Sequence, residues 1–525
     1  MRKLFERYPV GAVLLLMLLC LSPFMVLRDL TPANELRYLS ITDEALREGH
    51  LFAFFNHGAA YADKPPLYFW LLMLCRLLFG RHCIYALSLL SFLPAAVVTV
   101  VMDRWVYGAR KDAAAESAAV ERASAGERAA MALLLCATVY WLALSFFLRM
   151  DMLMTMFIVL ALYAWHRDRP WLFALYTFLA LFTKGPVGIL MPPLVVLVYI
   201  LACGRKQPDV PQHRLGRFLG WRFLLLVGGA CAVWFTCAWL EGGGDYLRNL
   251  VFHQTVDRTV NASHHREPVW FNLVQLWPVL LPWCLLTVPA AVASLCHKGG
   301  ERTEKLFRCA FFVPLVMLSC SSSKLPVYLL PVFPFVTYLL PLYARRTGWR
   351  RWMDVMLGVS ALLFALIGLA IALLPLFYGK IPALAKYGFL GSPFVALAGV
   401  VLAYGGGLAA VRALRSGREI RASAPLSIAI LAVFLALAPV LPEANEFLGF
   451  RSLCRDVPAG EPVYVRGLNR PESLDVFLGR AVIVVGPDDP VPAGGVFIAK
   501  STFSDPALEG RTCRIHGETA IWLPQ

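Results

Sequence analysis

A succession of apolar runs, separated by short basic loops, constrains this fold more than any other feature of the sequence. The thirteen runs lie at about residues 8–28, 83–102, 129–147, 152–166, 171–183, 187–203, 222–240, 271–295, 309–320, 326–343, 353–377, 392–411 and 426–442. Only 16% of the 525 residues are charged, whereas soluble chains have about 25%. The sequence therefore predicts a polytopic, all-α membrane protein with about thirteen transmembrane helices.

The positions of the lysines and arginines predict how these helices are oriented. With a cytoplasmic N-terminus and thirteen crossings, five basic loops all fall on the cytoplasmic side, at 103–128, 204–222, 297–308, 344–351 and 412–421. These loops account for much of the net charge of +15, so we expect no nucleic acid partner. The short run at 67–80, interrupted by Arg76, must then not cross, and we expect a helix lying at the outer face.

The tail at residues 443–525 differs in composition from the membrane part at residues 1–442. It is rich in proline, glycine and charge, and it contains the β-type runs PVYVRG, AVIVVG and GVFIAK between turn signals. We expect a small soluble α/β domain, placed on the outer side by the same count of crossings. Its two cysteines, Cys454 and Cys513, would form a disulfide there or remain free thiols.

The loop after the first run is the strongest candidate for a functional site. Between residues 32 and 70 it mixes apolar residues with Glu35, Arg37, Asp63 and Lys64. Ionisable groups held at a membrane face are costly, so they indicate function by default. A local ion pair for Glu35 and Arg37, and an interfacial anchor for Lys64, are the structural alternatives.

Charged and aromatic residues recur at the outer ends of later runs. They are Arg149, Asp151, Lys184, Lys324 and Tyr328. Snorkelling of long side chains to the interface explains each one separately, but it does not explain why they gather on one side. The fourth outer loop, 241–270, adds histidines, and one of these could share a metal ion with a carboxylate of the first loop.

Six motifs in the order NELRY, YADKPPLYFW, LRMDM, TKGP, LPW and SSSKLPVYLLP resemble the GT-C class of polytopic glycosyltransferases. Over residues 30–345 the chain is most similar to the bacterial branch of the protein O-mannosyltransferase and aminoarabinose (lipid A) transferase family. The resemblance implies a bacterial cytoplasmic membrane protein with its active site facing the periplasm. It implies transfer of a sugar from an undecaprenyl-phosphate-linked donor to lipid A or another lipid or envelope-glycan acceptor.

The resemblance also assigns roles to individual residues. The catalytic positions correspond to Asn34, Glu35 and Asp63, and Asn34 stands where the family usually has aspartate. Asp63 or Asp43 could replace that carboxylate, the acceptor could already be an anion, or the chain could be inactive. The implied donor-phosphate residues are Arg37, Lys64, Arg258 and Lys324. Arg149, Asp151 and Tyr328 complete the candidate site, and a divalent metal would be held by Asp63 and His265.

Other functions compete with this interpretation. A lipid-linked sugar flippase or transporter would have charges near the middle of the bilayer and inverted repeats, whereas the charges here lie at the ends of runs. A protein O-mannosyltransferase-like enzyme is the alternative within the same class. A membrane scaffold with an external binding domain is a third alternative, and the charged first loop argues against it.

Overall fold

Helices dominate the computed structural model, which describes residues 6–108, 123–203, 215–251, 267–296, 300–415 and 419–524. Within those residues, eight helices are long and apolar enough to cross a membrane: Pro9–Leu27, Ile84–Tyr107, Pro186–Cys203, Leu215–Val251, Pro326–Thr347, Arg351–Lys380, Pro393–Arg415 and Ile420–Leu448. Four shorter apolar helices are Leu67–Phe79, Asp151–His166, Pro170–Lys184 and Cys284–Cys296. Further helices of the bundle are Ala125–Cys136, Val139–Leu144, Phe271–Val279 and Arg302–Cys320.

Each of the thirteen predicted apolar runs coincides with one or two of these helices. Run 271–295 is divided, because the helices Phe271–Val279 and Cys284–Cys296 flank a break. Several helices are shorter than the ~20 residues that a straight span needs, so the number of crossings remains a prediction. The short run at 67–80 is a separate helix, and Gly80 ends it with a φ of 64°, a left-handed conformation that glycine adopts without strain.

The loop that follows helix Pro9–Leu27 is folded rather than extended. A single π-helical turn, Pro32–Leu36, leads into helix Arg37–Glu48. Strands β1 (Phe55–Asn56) and β2 (Ala59–Ala60) then form a tight antiparallel hairpin. Apolar side chains of this loop pack in one cluster with Leu148 and Met150 from the start of a later helix. This separate apolar cluster attaches the loop to the helix bundle.

The tail forms the predicted α/β domain. Its strands are β3 (Val463–Val465), β4 (Ile483–Val484), β5 (Val496–Lys500), β6 (Thr512–His516) and β7 (Thr519–Leu523), in the sheet order β4-β3-β5-β7-β6. Strand β3 is parallel to β4 and β5, whereas β7 is antiparallel to β5 and β6. The three predicted β-type runs are thus β3, β4 and β5.

Short helices complete the tail. Arg451–Arg455 and Asp475–Leu478 accompany the sheet, and helix Leu441–Leu448 crosses the domain boundary predicted at 442/443. Cys454 is buried beneath the sheet, whereas Cys513 is exposed on the edge strand β6, and both are free thiols. Of the two alternatives for this cysteine pair, the structure has the free thiols.

Candidate functional site

A buried ion pair connects the end of the first helix to the first loop. The two guanidinium nitrogens of Arg28 donate to the two carboxylate oxygens of Glu35 at 2.9 and 2.7 Å. Their side chains are 3% and 1% exposed. Arg28 also donates to the carbonyl oxygen of Phe146 at 3.1 Å. Such a bidentate arginine–carboxylate pair is among the strongest charged hydrogen-bonding arrangements in proteins.

The carboxylate of Glu35 is fully used by protein donors. Besides Arg28, it accepts hydrogen bonds from the backbone N–H of Thr31 at 2.9 Å, the hydroxyl of Thr31 at 3.0 Å and the backbone N–H of Leu148 at 2.8 Å. Five donors saturate the lone pairs of a carboxylate. The arrangement fixes the turn Pro32–Leu36 against residues 146–148 and leaves no room on the Glu35 carboxylate for a further hydrogen-bond donor.

Asn34 occupies the same turn, and its side chain is half-buried. Its amide makes no hydrogen bond to any residue in the described ranges, unlike the carboxylate of the adjacent Glu35. An amide can orient a hydroxyl group, but it cannot accept its proton at neutral pH. Asn34 therefore offers hydrogen bonds to a ligand without offering a base.

Three charged side chains form one cluster where helix Asp151–His166 begins and helix Pro170–Lys184 ends. Asp151, 2% exposed, accepts a hydrogen bond from Nε of Arg149 at 3.2 Å and another from Nζ of Lys184. Nζ of Lys184 also lies 4.6 Å from the centre of the Tyr328 ring, a cation–π contact. One carboxylate thus faces two cations, and the cluster carries a surplus positive charge.

The first loop and this cluster are close enough to interact electrostatically. Burial raises the pKa of Tyr38, and the positive charge of Arg149 opposes that rise. The guanidinium of Arg37 lies 5.7 Å from the ring centre of Tyr38 and 5.4 Å from that of Tyr61. Its buried Nε has no hydrogen-bond partner among the residues described. Arg37 is thus held by aromatic faces and retains hydrogen-bonding capacity for an anion.

Asp63 and Lys64 lie half-buried in the turn that precedes helix Leu67–Phe79. The neighbouring Tyr61 accepts a hydrogen bond at its carbonyl oxygen from the hydroxyl of Tyr246, 3.3 Å away. The same hydroxyl accepts the backbone N–H of Phe54 at 3.1 Å. The turn is therefore positioned between Arg37 on one side and the helix of Tyr246 on the other.

Lys324 is a buried cation in the segment that leads to Tyr328. Its side chain is 4% exposed, and Nζ donates to the backbone carbonyl of Glu267 at 2.8 Å. Because Tyr328 contacts Lys184, this segment borders the cluster around Asp151. Lys324 thus adds a further ammonium group, with more donors than this one carbonyl accepts.

Only some of the residues predicted to bind a metal or the donor phosphate lie in the described part of the chain. Arg258 and His265 lie outside the described residues. Among the residues that are described, no three or more His, Cys, Asp or Glu side chains group as metal ligands would. The divalent metal assigned to Asp63 and His265 therefore remains a prediction.

The sequence analysis did not assign two residues to the site that the structure places in it. Lys184 was recognised only as a charged helix end, and Arg28 was not singled out. Arg28 is the last residue of the run at 8–28, Lys184 directly follows the run at 171–183, and an ionisable group at the end of an apolar run was the available signal. What the sequence did not show is that Arg28 pairs with Glu35, and Lys184 with Asp151, because these contacts join segments 7 and 33 residues apart.

No family model matches the chain, but the chain is similar in sequence to several curated proteins. It is 26% identical over 347 residues to the undecaprenyl phosphate-alpha-4-amino-4-deoxy-L-arabinose arabinosyl transferase 1 of Pseudomonas fluorescens, covering 64% of this chain and 57% of that relative. The corresponding transferase 2 of Proteus mirabilis is 24% identical over 379 residues, covering 68% and 65%. The chain thus matches somewhat more than half the length of these curated relatives.

The whole fold has a counterpart among solved structures. The crystal structure of ArnT from Cupriavidus metallidurans bound to undecaprenyl phosphate superposes with a TM-score of 0.73 at 18% identity, covering 99% of this chain and 97% of that one. The chain therefore has the fold of this ArnT structure over nearly its whole length. Together with the sequence matches, it supports the resemblance that the motifs indicated: the chain is similar to aminoarabinose transferases, and it is a multi-pass inner membrane protein.

Proposed function

We propose that this protein is a glycosyltransferase that moves a sugar from an undecaprenyl-phosphate-linked donor to lipid A or another periplasmic envelope acceptor. The observation that carries the proposal is the surplus of cations beside the first loop. Arg149 and Lys184 share the carboxylate of Asp151, and Lys324 on the adjoining segment donates to the backbone carbonyl of Glu267. Such a site favours an anionic ligand such as a phosphate, and the names of the relatives specify a polyprenyl phosphate.

The proposed orientation places the first loop and the tail on the periplasmic side, and the basic loops in the cytoplasm. The cluster around Asp151 lies at helix ends that face the first loop, rather than midway along the helices. Charges at the membrane surface suit a donor whose polyprenyl chain stays in the bilayer while its sugar phosphate projects outward. They do not match the midplane charges expected of a transporter.

The reaction replaces one bond of the anomeric carbon by another. The bond from that carbon to the donor phosphate oxygen breaks, its electron pair leaves with undecaprenyl phosphate, and an acceptor oxygen forms the new glycosidic bond. Lys64, with Arg37, Arg258 and Lys324, stabilises the charge on the departing phosphate. A hydroxyl acceptor gives up a proton, whereas an acceptor that is already an anion needs no base.

The carboxylates of the site differ in position and in their described hydrogen bonds. Glu35 is saturated by five donors, and Asp151 is paired with two cations. Asp63 is half-buried beside the proposed phosphate residue Lys64. We therefore assign to Asp63 the role of reacting or cation-binding carboxylate, to Glu35 that of holding the turn, and to Asn34 that of orienting the acceptor.

The test is transfer from a polyprenyl-phosphate-linked sugar by the purified full-length protein in liposomes. Lys64→Ala should reduce transfer at least tenfold, since losing a charged partner of a bound phosphate costs about 2–5 kcal/mol. Lys380→Ala is the matched control, because Lys380 is exposed on another loop. Equal activity in both variants would contradict the assignment of Lys64 and leave only the interfacial-anchor interpretation.

A further inference from the structure

The α/β tail packs directly on the first loop through polar contacts at three places. Near the start of the loop, the carboxylate of Asp29 accepts the backbone N–H of Arg451 at 2.9 Å. Ser473 donates its hydroxyl to the carbonyl oxygen of Pro32 at 3.1 Å. At the hairpin turn, the His57 ring pairs with Asp475. These contacts join residues more than 400 positions apart, so they form only when the two parts dock.

The contact at Asp29 is buried and close-packed. Its backbone N–H donates to the side-chain oxygen of Asn445 at 2.7 Å, and its carboxylate also accepts the N–H of Leu30 at 2.7 Å. A Cβ atom on Gly449 would come within 2.5 Å of this carboxylate. The helix that leads into the tail therefore approaches the loop as closely as a glycine backbone permits.

The contact at Ser473 bears on the turn that carries Asn34. Ser473 is buried, and its acceptor, Pro32, is the first residue of the turn Pro32–Leu36. The opposite side of this turn is held by Glu35, through Arg28 and the N–H of Leu148. The turn thus lies between the membrane helices and the tail, with a hydrogen-bonded restraint on each side.

We propose that the tail is a clamp that positions the Asn34 turn, with Ser473, Asp475 and Arg451 as positioning residues. The inference rests on the proposed glycosyl transfer at the first loop, and it gives the tail a role in that reaction. Undocking would remove the restraint on Pro32 while leaving the Arg28–Glu35 pair in place. The turn would then sample several positions, and fewer molecules would hold Asn34 and its neighbours correctly for transfer.

The contact at the hairpin makes docking dependent on pH. His57 faces Asp475 and Glu472 on the tail and Glu44 on its own loop, and the hydrogen bond that its ring donates to Asp475 raises its pKa above the usual value of about 6.5. A protonated His57 strengthens the docked state. This contribution is fully present below about pH 6.5 and is lost as the pH rises through the raised pKa.

The test measures hydrogen–deuterium exchange of the full-length protein in liposomes from pH 6 to 9, with rates corrected for intrinsic exchange. Protection of residues 29–48 in the wild type should fall about two- to fivefold as the pH rises, the range for a partly exposed ion pair. His57→Asn should abolish that dependence. Asparagine suits this position because His57 has a φ of 54°, and asparagine tolerates left-handed backbone. His516→Asn is the matched control, because His516 pairs with Asp456 within the tail.

Ser473→Ala supplies a second, independent measurement. It should lower protection of residues 32–36 at every pH, and it should lower kcat without changing KM for the donor. Ser504→Ala, an exposed serine of the tail, should change neither quantity. Unaltered pH dependence in His57→Asn, or unaltered protection in Ser473→Ala, would overturn the clamp. The expected protection pattern in a wild type that transfers no sugar would instead refute the proposed function and leave the clamp standing.

Discussion

The variant Glu35→Gln tests whether Glu35 stabilises the fold, through its ion pair with Arg28, or takes part in the reaction. The amide of glutamine keeps the size of the side chain, but its NH2 group would face groups that are themselves hydrogen-bond donors. In the native protein both carboxylate oxygens accept N–H groups at 2.7 to 2.9 Å, and one of them also accepts the hydroxyl of Thr31 at 3.0 Å. The substitution also leaves the guanidinium of Arg28, 3% exposed, without its counter-charge.

The expected cost follows from the burial of the pair. Removing one partner of a buried ion pair destabilises a protein by about 3–5 kcal/mol, so the free energy of unfolding of Glu35→Gln should fall by about that amount. The double variant Arg28→Met/Glu35→Leu removes both charges and should recover part of the loss. We expect the summed costs in unfolding free energy of Arg28→Met alone and Glu35→Leu alone to exceed the cost of the double variant by up to about 3 kcal/mol.

Unfolding of the full-length protein by sodium dodecyl sulfate in mixed micelles, followed by circular dichroism, measures these differences. Glu443→Gln is the matched control, because Glu443 is exposed on helix Leu441–Leu448, and it should change stability by less than about 0.5 kcal/mol. If Glu35→Gln unfolds like the wild type and yet transfers no sugar, Glu35 acts in the reaction and the structural assignment is wrong.

Three further predictions concern the site and the topology. Lys184→Met should reduce transfer at least tenfold, because the cluster at Asp151 loses its surplus charge and a lost charged partner costs about 2–5 kcal/mol; activity within twofold of the wild type would contradict this. Arg258→Ala should reduce transfer as much as Lys64→Ala does, and an effect confined to stability would contradict its role at the donor phosphate. In intact cells, a membrane-impermeant maleimide should label native Cys513 and fail to label Glu116→Cys; the reverse pattern would overturn the predicted orientation.

The sequence predicted the features that depend on local composition. Each apolar run is a helix, and PVYVRG, AVIVVG and GVFIAK are strands, because hydrophobic patterning and β-branched residues act over a few neighbouring positions. The short run at 67–80 was recognised as a distinct helix from its length and from Arg76. The strands β6 and β7 were not identified, because RTCRIHG and TAIWLPQ mix charged, small and apolar residues.

What the sequence could not supply is the pairing of charges across the fold. Glu35, Arg149 and Asp151 were each recognised as candidates, but their partners depend on which helix ends meet. Glu35 appeared to be a reacting carboxylate or the partner of Arg37, and in the structure it pairs with Arg28. The contacts of Ser473 and Asp475 with the first loop cross more than 400 residues, and no local pattern predicts them.

The central claim is that this protein transfers a sugar to an envelope lipid or glycan, and mass spectrometry of the envelope tests it most directly. Lipid A and envelope glycans would be compared between cells with the gene, cells without it, and cells carrying Asp63→Asn at equal protein level. We predict a species heavier by one sugar residue that is present only with the wild-type gene and strongly reduced with Asp63→Asn. Identical lipid A and glycan spectra in all three strains would contradict the claim and indicate a catalytically silent relative.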